Sequence, residues 1–277
     1  MTETLRIRSR FVTNPAWVLC LSALLAASLI GCGGGNQIAP RSTKPDTSTP
    51  ADNWQFLLTP ASSGVALTNE IEAVVSLTPG KFVGTAYIDA AAYPNADPCY
   101  TLGDPIPLSG IIDAQGNLSV TSAAIRGQVL SFTGVVAPDR KSVSLGNYAF
   151  TGGCADGHNG ILTGLKFKPI DGVYVGTLAE PDSSIAVSSS LTQLSGKPTG
   201  FLGVKGTVSY TSSGCTEEFE ITSSQLAGRF IQLFLSAKDG TTTSVYGNVN
   251  SQGSQIDLAD YDGGCNGVGG VGVLSLK

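Results

Sequence analysis

The sequence predicts an all-β protein built from two tandem antiparallel modules, and three observations lead to this fold class. Charged residues make up only 13% of the chain, while 35 of its 277 residues are glycine. Such a composition suits short strands joined by tight turns. Apolar and polar residues alternate along many segments, and the pattern of the first half returns in the second half. Residues 32–277 show no run with the three- and four-residue apolar spacing of an amphipathic helix.

The period of two predicts the individual strands. Residues 71–77 alternate between apolar and polar side chains, although Val74 breaks the polar face. The same period is found in residues 129–133, 173–175, 185–194 and 219–222. Turn signals such as Thr78-Pro79-Gly80 and Lys238-Asp239-Gly240 separate the strands. This spacing predicts about seven or eight strands per module, which could close as a small β-barrel or fold as a β-sandwich.

The two halves of the chain resemble each other in three pairs of segments that follow the same order. These pairs are 82–87 with 204–210, 118–132 with 219–233, and 143–148 with 256–261. We therefore interpret residues 54–168 and 171–277 as two copies of one module, with a junction near Pro169-Ile170.

Residues 1–31 have the features of an export signal. Three arginines precede an apolar run that covers residues 16–30. This run is short for a helix that must cross about 30 Å of hydrocarbon, but it fits the apolar core of a signal peptide. The alternative is an ordinary secretory signal, in which the cysteine that follows has no role.

The run ends in Leu29-Ile30-Gly31-Cys32, which resembles the lipobox of bacterial lipoprotein precursors. The resemblance implies that the Cys32 thiol receives a diacylglyceryl group and that the signal peptidase cuts just before it. Two or three acyl chains then anchor the protein stably to a membrane. Cys20 lies inside the apolar run and would be removed with it. In the lipoproteins that this leader resembles, Asp directly after the lipidated cysteine is typical of retention in the inner membrane. This chain has Gly33 at that position, which favours the outer membrane, with the protein facing the periplasm or the cell surface.

We expect residues 32–53 to consist of the lipidated cysteine and a flexible tether. The segment is rich in Gly, Pro, Ser and Thr and has no hydrophobic period. Such a composition cannot bury enough apolar surface to offset the entropy cost of ordering.

Four cysteines remain after Cys32, and four cysteines allow three pairings. Because each copy carries two of them at equivalent places, we predict the disulfides Cys99–Cys154 and Cys215–Cys265. An exported chain meets an oxidising compartment, where disulfides persist. The alternative, a zinc site with four thiolate ligands, usually needs closely spaced Cys-x2-4-Cys pairs, which this sequence lacks.

The sequence offers little catalytic chemistry. The only histidine, His158, lies in a glycine-rich turn, so a Ser-His-Asp hydrolase would depend on a turn residue as its general base. The dinucleotide-binding pattern G-x-G-x-x-G occurs at residues 267–272, but too few residues follow it for the helix that the motif requires. We predict no cofactor and no metal. Removing residues 1–31 leaves 13 basic and 20 acidic side chains, and the absence of a basic face excludes nucleic acid.

Carboxylates and aromatic residues are the remaining candidates for a site. Asp257, Asp260 and Asp262 faintly resemble a calcium loop, but no downstream glutamate completes it. Glu217, Glu218 and Glu220 could serve a glycosidase, although their spacing does not specify one. Trp54, Tyr174 and Tyr210 could stack on sugars, but packing in the core or at its rim is the favoured interpretation.

In whole, the chain resembles bacterial lipoproteins built from tandem, disulfide-containing β-modules. The resemblance implies a location in the cell envelope and an architecture, without an activity. We expect a non-enzymatic binding or structural role, with an envelope polysaccharide or a protein as partner. The alternatives are a hydrolase that acts on polysaccharide through paired carboxylates and a lipocalin-like carrier of small ligands. A binding module should expose an aromatic or apolar patch.

Overall fold

The structure is a computed structural model that describes residues 50–61, 70–88, 99, 104–179, 184–262, 265 and 270–277, with the backbone alone for residues 259–262. The leader, Cys32 and residues 33–49 lie outside the described residues. The described part of the chain consists of strands, turns and irregular segments, which confirms the all-β class. It contains no helix that is long and apolar enough to cross a membrane.

Each half of the chain closes into an eight-stranded antiparallel barrel. Barrel 1 contains β1 (Asp52–Pro60), β2 (Glu70–Thr78), β3 (Lys81–Ile88), β4 (Ile106–Ile112), β5 (Asn117–Ser122), β6 (Val129–Val136), β7 (Ser142–Thr151) and β8 (Asn159–Lys166). Barrel 2 contains β9 (Asp171–Ala179), β10 (Ser184–Gln193), β11 (Val204–Ser212), β12 (Cys215–Ala227), β13 (Phe230–Ala237), β14 (Thr242–Val249), β15 (Gln255–Asp262) and β16 (Val271–Leu276). Each strand pairs with the next, and closure comes from the pairs β1–β8 and β9–β16. The fold is therefore a pair of barrels, and the sandwich alternative is wrong.

Alternating side chains fill the barrel interiors, because eight strands enclose a space that side chains alone can occupy. Aromatic rings pack against one another in the core of barrel 1, where the ring centroids of Phe56 and Phe132 are 5.3 Å apart and those of Phe82 and Phe132 are 5.9 Å apart. The core of barrel 2 is more aliphatic, and it includes an edge-on pair of Tyr210 and Phe219 rings at 5.5 Å.

The ordered body begins before Trp54, the start that the sequence predicts. Ala51 forms a backbone bridge with Gly196, and β1 begins at Asp52. Asn53 is buried, and its side-chain amide donates a hydrogen bond to the Gly228 carbonyl at 2.6 Å. Residues 51–53 therefore do not belong to a flexible tether, since contacts with barrel 2 hold them in place.

The equivalence of the barrels follows from strand order and from the disulfides. In barrel 1 the disulfide joins the β3–β4 and β7–β8 connections, and in barrel 2 it joins the first residue of β12 to the β15–β16 connection. Strand β12 is therefore equivalent to β4. The predicted match of 118–132 with 219–233 is wrong by one strand, because it pairs the β5–β6 hairpin with β12–β13. All hairpins share a period of two, so sequence similarity alone can shift by one strand.

Barrel 2 covers the outer face of β2 and β3. Strand β2 is buried on both faces, and its outward-facing Val74 belongs to the apolar cluster that contains the core of barrel 2. The Tyr87 and Phe201 rings stack across the interface with centroids 3.8 Å apart, and the Thr85 hydroxyl donates to the Pro198 carbonyl at 2.9 Å. The break in the polar face at Val74 thus marks an interface between the barrels.

A second part of this interface is a buried carboxyl group, that of Glu72. The backbone N–H of Arg229 and the side-chain amide of Gln55 donate to its oxygens at 2.8 and 3.1 Å. The Arg229 guanidinium lies 3.8 Å from Glu72 and makes a closer ion pair with Glu70 at 2.7 Å. Burial raises the pKa of Glu72 to about 8, and these hydrogen bonds only partly oppose it.

Candidate binding surface

Both predicted disulfides are present, and they occupy equivalent ends of the two barrels. Cys99 pairs with Cys154, and Cys215 pairs with Cys265. In barrel 1 the buried side chain of Gln128 ties the two bridged loops together: its amide donates to the Cys99 carbonyl at 2.8 Å, and its oxygen accepts from the Ala155 N–H at 2.7 Å. Each disulfide therefore cross-links two segments at one end of its barrel.

The three aromatic candidates for sugar stacking lie in the barrel cores. Trp54, Tyr174 and Tyr210 are each 0% exposed. The Tyr174 hydroxyl donates to the Gly253 carbonyl, in keeping with the rule that buried tyrosine hydroxyls find partners. The hypothesis that these rings form a sugar platform is therefore wrong, because a ring that stacks on sugar must reach the surface.

His158 and the glycine-rich tail show no arrangement for catalysis. His158 lies in the turn between β7 and β8, where its backbone N–H donates to the Ala155 carbonyl and its carbonyl accepts from the Phe150 N–H. In the tail, residues 267–269 lie outside the described residues, and β16 begins at Val271. A strand follows the pattern G-x-G-x-x-G where a dinucleotide site requires a helix.

Among the side chains that the structure describes, the acidic candidates do not come together in one site. Asp257 lies on β15, and its exposed carboxylate accepts from the Gln255 amide at 2.7 Å; the side chains of residues 260 and 262 are outside the described part. Glu217 is half-buried and accepts from the Cys265 N–H at 2.8 Å, whereas Glu218 and Glu220 are exposed on the opposite face of β12. The three glutamates therefore do not converge.

The interior of barrel 2 contains a cavity of about 20 Å³. Ser189 and Tyr210 are the polar members of its lining, and the other lining residues are aliphatic. Ligand pockets usually measure roughly 300–1,000 Å³, so this space could hold about one water molecule. The cavity does not support the hypothesis that barrel 2 is a lipocalin-like carrier.

Replacing Ser189 with alanine should raise the free energy of unfolding by about 1 kcal/mol, because its buried hydroxyl has no hydrogen-bond partner among the described residues. Ser189 lies opposite Tyr174 on β9, and the equivalent pair in barrel 1 is Ala73 opposite Trp54. The reverse change, Ala73→Ser, should destabilise by about 1–3 kcal/mol. Urea unfolding measures the free energy of unfolding of both variants. A Ser189→Ala protein that is less stable than wild type would contradict this prediction and show that the hydroxyl is satisfied.

Four exposed aliphatic side chains cluster on the outer face of barrel 1, where its first and last strands meet. We call this cluster the seam patch; it consists of Leu57, Leu145, Ile161 and Leu165. Leu57 lies opposite Thr163, which has Ile161 and Leu165 on either side of it on the same face of β8. Strand β7 has a bulge at this point, so that Ser144 and Leu145 together face Thr163. The pairing register therefore places all four side chains around one position.

Leu145 is the most unusual member of the seam patch. Its side chain is 82% exposed and its φ is 53°, in the left-handed region that leucine rarely adopts. This conformation costs roughly 1–2 kcal/mol, and the exposed side chain gains nothing from the core in return. Bulges often redirect a side chain toward a functional site. The geometry therefore presents a leucine to the surroundings as part of an aliphatic cluster.

Barrel 2 has a related but weaker feature at its own seam. Val173 and Val175 on β9 and Val271 and Val273 on β16 are exposed on the outer face. These side chains are shorter than those of the seam patch, and valine is a common residue in exposed strands. The seam patch of barrel 1 is the stronger candidate for a contact.

Sequence reasoning missed both the seam patch and the interface between the barrels. The patch brings together residues from β1, β7 and β8. Leu57 lies on the first strand of barrel 1 and Leu165 on the last, so the two are far apart in the sequence. A signal for the interface was present, since Val74 interrupts the polar face of β2. No comparable signal marked Leu145, because its exposure depends on a bulge.

The fold and its cysteines define a tandem, disulfide-containing double β-barrel. No protein-family model, no curated protein and no solved structure matches the chain.

Proposed function

We propose that this chain is a lipid-anchored protein of the bacterial cell envelope whose double barrel serves as a non-enzymatic binding module. The leader and the Leu29-Ile30-Gly31-Cys32 motif support the anchor. The two disulfides support export, because such bonds persist in oxidising compartments. Gly33 after the cysteine supports placement at the outer membrane.

The seam patch carries the binding part of the proposal. Its members are aliphatic, whereas sugars are usually gripped by exposed aromatic rings, and the aromatic candidates of this chain are buried. An aliphatic cluster that includes a fully presented leucine, Leu145, matches an apolar patch on another protein. We therefore place a protein partner with a complementary apolar surface on the seam patch, ahead of an envelope polysaccharide.

The anchor is tested by labelling cells with an alkyne analogue of palmitate. The wild-type protein should take up the label and sediment with membranes, and Cys32→Ser should lose the label entirely. Cys20→Ser is the matched control, because its cysteine lies in the leader and should not affect labelling. Equal labelling of wild type and Cys32→Ser would refute the anchor. Secretion of unlabelled wild type would identify an ordinary signal peptide.

The binding surface is tested by photocrosslinking in living cells, with a photoreactive amino acid in place of Leu145. We expect one discrete adduct with another protein, and we expect Ile161→Ser in the same chain to reduce its yield severalfold. Ser190, exposed on the outer face of β10, is the control position and should give no such adduct. Identical adducts at both positions, or an adduct insensitive to Ile161→Ser, would contradict a specific site.

A further inference from the structure

The disulfide of barrel 2 has an acidic neighbour that the proposed function does not use. The Sγ atoms of Cys215 and Cys265 and a carboxylate oxygen of Glu217 all lie within 4.8 Å of one another. Among the described residues, this is the one group of three or more such side chains that lie close enough to share a metal ion. All three residues are half-buried, so small molecules can reach the group from solvent.

Backbone contacts hold Glu217 beside the two cysteines. The Cys265 N–H donates to Glu217 Oε2 at 2.8 Å. Glu217 also lies directly opposite Tyr210 in the β11–β12 pairing, so its backbone position is set by the strand register. Hydrogen bonds of this kind orient a carboxylate that coordinates a metal and strengthen its binding.

Barrel 1 offers an internal comparison. At its equivalent disulfide the side chain that ties the loops together is Gln128, an amide. Both polar atoms of this amide are engaged with the backbone, and an amide supplies no negative charge. Only barrel 2 places a carboxylate beside its cysteine pair among the described residues.

We propose that Cys215, Cys265 and Glu217 form a zinc site when the disulfide of barrel 2 is reduced. A dithiol reductant gives two electrons and two protons to the Cys215–Cys265 bond and becomes a disulfide itself. One Zn²⁺ then displaces the two thiol protons and binds both thiolates and a carboxylate oxygen of Glu217. Thiolate and carboxylate are ligands that zinc accepts at about 2.3 and 2.0–2.2 Å, and three protein ligands leave a fourth position open. The Cα atoms of the two cysteines are 5.5 Å apart, so both thiolates can reach one ion.

Cobalt(II) substitution tests the site in the purified full chain. The chain carries Cys20→Ser, Cys32→Ser, Cys99→Ser and Cys154→Ser, and a phosphine, which is not a thiol, keeps Cys215 and Cys265 reduced. We expect one equivalent of Co²⁺ with thiolate-to-metal absorption, displaced by Zn²⁺, and none in the oxidised protein. Glu217→Gln should weaken Zn²⁺ binding by roughly tenfold or more. Glu218→Gln, which changes an exposed neighbour on the opposite face, should leave the affinity unchanged.

Circular dichroism of each reduced protein shows whether the barrels remain folded. If this serine background does not fold, the same titration in a chain that keeps Cys99 and Cys154 should still show weaker Zn²⁺ binding for Glu217→Gln than for Glu218→Gln. Absence of thiolate-to-metal absorption in a folded, reduced chain would overturn the proposal. Equal affinities of wild type and Glu217→Gln would also overturn it, since the metal would then bind the thiols without the carboxylate.

Discussion

Replacing Gly228 with alanine should weaken the docking of the two barrels and lower the free energy of unfolding by roughly 2–4 kcal/mol. A Cβ atom at this position would overlap with Oε2 of Glu72. The carboxyl group would have to leave the Arg229 N–H that now donates to it at 2.8 Å. A buried polar group without its partner costs about 1–3 kcal/mol, and the left-handed φ of 52° at Gly228 adds to this cost.

Gly240→Ala separates the cost of displacing the Glu72 carboxyl group from the cost of the left-handed backbone conformation. Gly240 also has a positive φ, 90°, but a Cβ atom there would meet nothing within 4 Å. Calorimetry should show a larger loss for Gly228→Ala than for Gly240→Ala, together with separate transitions for the two barrels. Equal losses in the two variants would show that contact between Gly228 and Glu72 adds nothing to stability.

The stability of the wild-type protein should fall as the pH rises from about 5 to about 8, and Glu72→Gln should remove most of this dependence. Burial raises the pKa of Glu72 from 4.5 to about 8. Between these values the folded state holds a proton that the unfolded state has lost, so raising the pH favours unfolding. The contribution is complete below pH 4.5 and is lost as the pH passes 8. Its size is on the order of a few kcal/mol.

Urea unfolding at half-unit pH steps measures this dependence. The chain has a single histidine, His158. His158→Gln is therefore the matched control and should keep the slope of the wild type. A slope that survives in Glu72→Gln and disappears in His158→Gln would show that the pH dependence comes from His158 and would contradict the prediction.

The candidate sites show how far sequence reasoning reaches. The disulfide partners could be predicted, because the repeat places one cysteine pair in each copy, and the pairs formed as expected. The acidic partner of the second disulfide could not be selected in the same way. Glu217, Glu218 and Glu220 look alike in the sequence, and only the direction of each side chain from β12 separates Glu217 from the other two.

The sequence by itself determined the strand content, the two modules and their disulfides, because these depend on local alternation, turn residues and repetition. The tertiary structure decided the rest. Whether eight strands close into a barrel depends on pairing between the first and last strands, such as Trp54 with Lys166, which are far apart in the chain. Which outer face is buried depends on barrel 2 packing against Val74 and Glu72. Leu145 became part of a surface patch through a bulge, since one extra residue changes the direction of a side chain without leaving a mark on the hydrophobic pattern.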